Sequence, residues 1–171
     1  MAERKILLIA FFTALIIVGS FIRLPLPPVP ITLQTLFVLV VAYLGGPFIA
    51  SMSVLLYLIL GIIGVPVFSG GGGFALLFGP TGGYLFALLP AALIASVGGT
   101  KNLFFMILFG ALATAMIYVG GVLMLSFVLS LTLKQAIVAG MLPFLIGDGI
   151  KLGVAIAISR RFAKRIPLLL A

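Results

Sequence analysis

The sequence predicts an all-α integral membrane protein, a six-transmembrane-helix bundle formed by a single membrane domain over residues 1–171. Three observations predict it. Hydrophobic residues make up 64% of the chain and charged residues 7%, whereas a soluble domain carries about 25% charged residues. Between Ile6 and Leu133 the only charges are Arg23 and Lys101; no soluble fold of this size could bury that much apolar surface and keep its exterior polar. Clusters of Pro and Gly divide the apolar sequence at intervals, and such clusters mark chain reversals.

The first apolar segment, 6–22, follows Arg4 and Lys5. It is longer than the apolar core of a secretory signal peptide, and no small-residue cleavage site precedes Arg23, so it reads as a span. Pro25, Pro27, Pro28 and Pro30 fill the first connection. The second segment is 31–44, and Gly45-Gly46-Pro47 turns the chain tightly into the third, 47–63. The third connection runs from Val65-Pro66-Val67-Phe68-Ser69 through four glycines and Phe74 to Gly79-Pro80-Thr81. The fourth segment, 82–97, ends at Gly98-Gly99. The fifth, 103–131, is long, and Gly120-Gly121 mark a bend in it or the start of an interfacial stretch. Lys134 and Gln135 then form a polar turn before the sixth segment, 144–159. A crossing helix needs about 20 residues, so the shorter segments extend beyond these bounds or cross incompletely. No internal repeat is visible, which disfavours an inverted-repeat carrier.

Charge sets the orientation. With six spans both termini share one side, which would hold Arg4, Lys5, Lys101, Arg160, Arg161, Lys164 and Arg165; the other side holds Arg23 and Lys134. The positive-inside rule then makes both termini cytoplasmic. The Pro-rich and Gly-rich connections and the start of the last helix consequently meet at the outer end of the bundle.

Composition also excludes functions. Cys and His are absent, so disulfides, zinc and haem sites are not expected. The basic residues sit at the ends of apolar segments, the pattern of a membrane protein rather than of a nucleic-acid binder. Ser-His and Cys-His pairs are lacking, and an intramembrane aspartyl protease needs two acids within spans, where only Asp148 lies. No enzyme and no cofactor are expected.

Asp148 and Lys151 carry the most information. A charged residue inside a span costs about 2.5–3.5 kcal/mol on insertion scales, so it calls for a partner or a task. The two are three apart and share a helix face. They either neutralise each other or hold a ligand, with Gly147, Gly149 and Gly153 leaving room beside them. The Gly-rich connection lacks the Lys-Ser or Lys-Thr of a phosphate loop. It reads as a plain flexible loop or as a lid whose glycines allow close approach to a ligand, with Phe68 and Phe74 bracketing it. Thr32, Gln34 and Thr35 open the second helix, as caps or as polar groups of a site. Tyr84 opens the fourth helix, as an interfacial anchor or a site residue. Ala10 and Ala14 form a small-residue pair suited to close packing, inside the bundle or against a partner helix.

Four strings together, Val29-Pro30-Ile31-Thr32-Leu33-Gln34-Thr35-Leu36, Gly64-Val65-Pro66-Val67-Phe68, Gly79-Pro80-Thr81-Gly82-Gly83-Tyr84 and Pro143-Phe144-Leu145-Ile146-Gly147-Asp148-Gly149-Ile150-Lys151, resemble the biotin-specific substrate-binding (S) component of energy-coupling factor (ECF) transporters. The resemblance runs in order from about residue 10 to residue 164. It implies a six-helix subunit in a prokaryotic cell membrane that binds biotin from outside. It implies as partners a transmembrane coupling (T) protein and two cytoplasmic ATPases. It also implies that the subunit topples in the membrane to release biotin inside. It makes Asp148 and Lys151 ligand-binding positions, with Gln34, Thr32, Tyr84, Phe68, Phe74, Ser69 and Gly83 as further candidates, and Ala10 and Ala14 the surface offered to the coupling protein. Relatives often carry a polar side chain in the third connection, where Ser69 is the only candidate here. The chemistry agrees: biotin's apolar body suits an apolar pocket with a few placed polar groups, an Asp can accept its ureido N–H groups, and a Lys can meet its carboxylate. Which group meets which end stays open in the sequence. So do rival readings: a binding component for riboflavin or thiamine, an ion-coupled carrier in which Asp148 titrates, or a membrane protein without a ligand.

Overall fold

A computed structural model describes residues 2–100 and 102–163. Lys101, Lys164 and Arg165, counted above for orientation, lie outside the described residues. The helices are α1 (Ala2–Phe21), α2 (Gln34–Ile62), α3 (Gly82–Gly98), α4 (Leu103–Val128), α5 (Leu133–Gly140) and α6 (Leu145–Phe162). Between α1 and α2 a two-residue antiparallel ladder pairs β1 (Arg23–Leu24) with β2 (Ile31–Thr32). Short 3-10 turns at Phe74–Phe78 and Leu142–Phe144 precede α3 and α6. The architecture is that of an all-α membrane protein. Four stretches, Glu3–Phe21, Gln34–Ile62, Leu103–Val128 and Leu133–Phe162, are long and apolar enough to cross a bilayer, and α3 is a shorter apolar helix. Large side chains face outward, Phe127 at 84% exposure and Ile146 at 81%, which only a lipid surround makes favourable.

The long α2 is helical on both sides of Gly46, whose φ of 67° and ψ of −178° break it. That conformation is open to glycine and hardly to any other residue, and Pro47 then starts the next stretch with its φ already set for a helix. The partners on α1 give the sense of each half. Phe12 faces Gly45 and Gly19 faces Gln34, so residues 34–45 run opposite to α1. Thr13 donates to the Ser53 carbonyl at 3.1 Å and Ser20 to the Val67 carbonyl at 2.6 Å, so residues 47–62 run with it. The two halves are antiparallel.

Several local expectations change. Ile31 and Thr32 belong to β2, not to the second helix, because they complete the ladder with Leu24 and Arg23. Thr32 still serves the helix start, its Oγ1 accepting from Gln34 N at 3.3 Å. No bend occurs at Gly120-Gly121, since α4 is continuous from Leu103 to Val128. Those glycines instead make room: a Cβ on Gly120 would meet the Gly83 carbonyl, and one on Gly121 would enter the Tyr84 ring. Lys134 and Gln135 lie in a helix rather than a turn. There Thr132 and Gln135 form a capping box, satisfying two backbone donors that would otherwise be orphaned.

Polar groups tie the spans together where water cannot help. Ser53 Oγ donates to the Ile9 carbonyl at 3.3 Å. Tyr43 Oη donates to the Met106 carbonyl at 2.6 Å, joining α2 to α4. Gly110 lets that hydroxyl in, since a Cβ there would overlap it.

Candidate functional site

The loops and helix ends of one end of the bundle enclose a cavity of about 690 Å³, counting the space open at its mouth. Val29 and Pro30 come from the first connection, Phe68, Ser69 and Gly70 from the third, Tyr84, Leu85 and Leu88 from α3, Ile117 and Tyr118 from α4, and Asp148 and Lys151 from α6. The three unusual sequence features thus surround one space.

The polar group of this cavity is a cluster of three side chains. Asp148 lies in the first turn of α6, and its Oδ1 accepts from Lys151 Nζ at 2.7 Å. Its Oδ2 accepts from Tyr118 Oη at 2.5 Å. Asp148, Lys151 and Tyr118 are each 7% exposed, so all three have left bulk solvent. A buried charge is tolerated when it is both paired and hydrogen-bonded, and Asp148 meets both conditions. Its position near the start of α6 adds the favourable end of the helix dipole.

Gln34 is buried at the head of α2 and lines the same cavity. Its Nε2 has no hydrogen-bond partner, and neither has the buried Tyr57 Oη. Tyr57 lies beside Ser20 and Gln34 without closing a hydrogen bond of normal geometry to either. Thr32 and Thr35 line the wall near Gln34. Ser69 and Gly70 form the tip of a tight turn held by Phe68 N to the Gly71 carbonyl at 2.8 Å and the reverse bond at 3.0 Å. Gly70 is exposed while Phe68 is buried, so the cavity opens at this turn.

Seven of the sequence-derived candidates line the cavity: Asp148, Lys151, Gln34, Thr32, Tyr84, Phe68 and Ser69. Phe74 and Gly83 are elsewhere. Phe74 is 61% exposed and its ring lies 4.9 Å from that of Phe78 on the outside of the 3-10 turn. Phe68 differs because α2 has a gap for it: a Cβ on Gly61 would fall inside the Phe68 ring, which meets Tyr57 edge-on at 5.3 Å. Gly83 serves the contact between α3 and α4, where a Cβ would strike the Gly120 backbone. Tyr84 gives its ring to the cavity, but its hydroxyl is committed to the Gly140 carbonyl at 2.7 Å. Gly147, Gly149 and Gly153 have open space where a Cβ would stand, so they make no close contact within the described chain. Ala10 and Ala14 are exposed on one face of α1. The sequence reading missed Tyr118. The available signal was a polar-tipped aromatic inside an apolar helix, which needs a hydrogen-bond partner once buried.

An all-α membrane bundle with a partly enclosed cavity that sets a few polar groups among apolar side chains suits the binding of a small molecule. The chain belongs to the BioY family, whose profile matches residues 1–168. It is 38% identical to the probable biotin transporter BioY of Pyrococcus horikoshii over 162 residues, covering 94% of this chain and 97% of that one. It is 40% identical to the biotin transporter BioY of Thermotoga maritima over 164 residues, covering 94% and 96%. Its fold matches the crystal structure of the S-component for biotin from an ECF-type ABC transporter, with a TM-score of 0.88, 31% identity, and coverage of 96% and 93%. The family is one of transporter components, and the chain is a multi-pass protein of the prokaryotic plasma membrane.

Proposed function

We propose that this chain is the membrane-embedded S component of a biotin uptake system, binding biotin in the cavity between α2, α3, α4 and α6. The observation that carries the proposal is the buried Asp148–Lys151–Tyr118 cluster in an otherwise largely apolar slot. Such a slot suits a ligand with an apolar body and a few polar groups. Gln34, Thr32 and Ser69 are the further polar contacts, and Phe68 and Tyr84 the rings that cover the apolar part. The antiparallel halves of α2 supply two crossings, and α1, α3, α4 and α6 bring the total to six. Both termini then face the cytoplasm. A transmembrane coupling protein seats against the Ala10–Ala14 face of α1, and two cytoplasmic ATPases drive the cycle.

Titration of the purified subunit with biotin tests the reading, without ATP and without an ion gradient. Saturable binding of one biotin per chain, with riboflavin and thiamine inert, is the expected result. Binding of another vitamin in preference to biotin, or binding that requires a gradient, would overturn it.

A further inference from the structure

The end of the bundle away from the cavity carries charge that nothing among the described residues neutralises. The chain has ten basic residues and two acids; Asp148 is taken by Lys151, which leaves only Glu3. At that end α1 begins with Arg4 and Lys5, and α6 finishes with Arg160 and Arg161. All four are exposed, and among the described residues none of them is in an ion pair. The two pairs also lie at one depth. Phe12 of α1 packs at Gly45, and the Tyr43 hydroxyl and the Leu152 side chain of α6 converge on Gly110, so both contacts fall just before the Gly46 turn of α2. Arg4 is eight residues back from Phe12 and Arg160 eight beyond Leu152, about 12 Å of helix in each case.

The neighbouring side chains decide what meets these charges. Ile6, Leu7 and Phe11 stand exposed on α1 directly inward of Arg4 and Lys5, and Ile150 and Val154 stand exposed on α6 below Arg160 and Arg161. Such faces suit acyl chains, and Lys and Arg at their border reach the headgroup layer. Two basic pairs on separate helices at one depth match a layer of phosphates. We propose that each pair binds the phosphate of an anionic phospholipid, with the lipid chains along the exposed apolar faces of α1 and α6. Arginine pairs well with phosphate oxygens through its planar fork of donors, and basic groups at a membrane face attract anionic lipid. A water-soluble acidic protein or free phosphate would match the charges and leave the apolar faces unmatched.

The detergent-purified chain is titrated with phosphatidylglycerol and with phosphatidylcholine of the same acyl chains, and retained lipid is counted by native mass spectrometry. Phosphatidylcholine carries the same phosphate beside a compensating cation. Wild type should retain phosphatidylglycerol at a concentration at least about tenfold lower, and phosphatidylglycerol should raise its melting temperature more. The variant Arg4→Gln/Lys5→Gln/Arg160→Gln/Arg161→Gln, checked for a monodisperse gel-filtration peak, should lose at least about fivefold of that preference. If it gives no such peak, the double variants Arg4→Gln/Lys5→Gln and Arg160→Gln/Arg161→Gln decide instead, each lowering the preference by about threefold or more. Arg23→Gln with Lys134→Gln removes positive charge outside the basic group and should keep the preference within about twofold. Equal retention of both lipids by wild type, or an unchanged preference in the variants of the basic end, would overturn the proposal. So would an equal loss in the Arg23 and Lys134 variant, which would show net charge alone at work. Displacement of phosphatidylglycerol by inorganic phosphate at millimolar concentration would overturn the lipid assignment in favour of free phosphate.

Discussion

Asp148 and Lys151 satisfy each other in a buried wall of the cavity, and the proposed function sets a ligand against that pair. Lys151→Ala and Asp148→Ala should each weaken biotin binding while the protein still inserts. A hydrogen bond to a charged group contributes about 1.5–3 kcal/mol, which corresponds to roughly ten- to more than a hundredfold in affinity. Each single change also strands a buried charge, so some loss of stability is expected as well. The double change Asp148→Asn with Lys151→Met separates the two effects. It removes both charges, and the Asn carbonyl still accepts from Tyr118. If the pair holds biotin, this variant is stable and does not bind. Near-normal biotin affinity in a well-folded double variant, measured by calorimetry, would remove the pair from the site. At this scale the sequence was readable where chemistry alone raised a question, as with a charge inside a span. It was silent where the answer depends on which helix comes near. Tyr118 lies well inside α4, about four turns from its start and about three from its end, and nothing in its own segment says that Asp148 will meet it. Phe68 and Phe74 look alike in sequence, flanking the same glycines. Only the gap at Gly61 decides that one is buried against α2 while the other stays outside.

Among the elements, α2 depends on a single backbone conformation. Gly46 has nothing within 4 Å of where a Cβ would stand, so Gly46→Ala introduces no collision and tests the backbone alone. Residues held in that region cost of order 1–3 kcal/mol. The variant should unfold at a lower temperature in detergent, with biotin affinity little changed because the turn is at the opposite end of α2's halves from Gln34. An unaltered melting temperature would show that the turn does not need glycine. The apolar segments were legible because bilayer crossing imposes length and composition together. The short α5 was not, because eight residues with Lys134 and Gln135 at the start look like a loop until the capping box closes. On α1 the buried side chains Phe12, Thr13 and Ile16 face the bundle and leave Ala10 and Ala14 outside. Ala10→Leu or Ala14→Leu should therefore spare biotin binding yet impair assembly and transport, since a larger side chain holds a partner helix away. Normal copurification with the coupling protein, together with normal uptake, would contradict that role.

For the whole molecule, the arrangement of helix ends supplies an argument on orientation that does not use every charge. Ser20, near the end of α1, and Gln34, at the head of α2, lie beside Tyr57, and Gln34 lines the cavity with Asp148 at the head of α6. The cavity end of the bundle therefore holds the C-terminal end of α1 and the N-terminal end of α6. The opposite end holds the start of α1, with Arg4 and Lys5, and the end of α6, with Arg160 and Arg161. Arg23 and Lys134 stand outside this basic group, Arg23 in the ladder beside the first connection. A bilayer sorts such ends by their Lys and Arg content, keeping the richer one in the cytoplasm. On the proposed function that rule turns the cavity mouth outward, where an uptake system would meet its substrate. Single cysteines introduced at Ala2 and Ala171, in a chain that has none of its own, should resist impermeant thiol reagents in intact cells and react once the membrane is permeabilised. A cysteine at Ser69 should react in intact cells and be protected by biotin. Labelling of both termini from outside would invert the molecule and set the cavity mouth towards the cytoplasm.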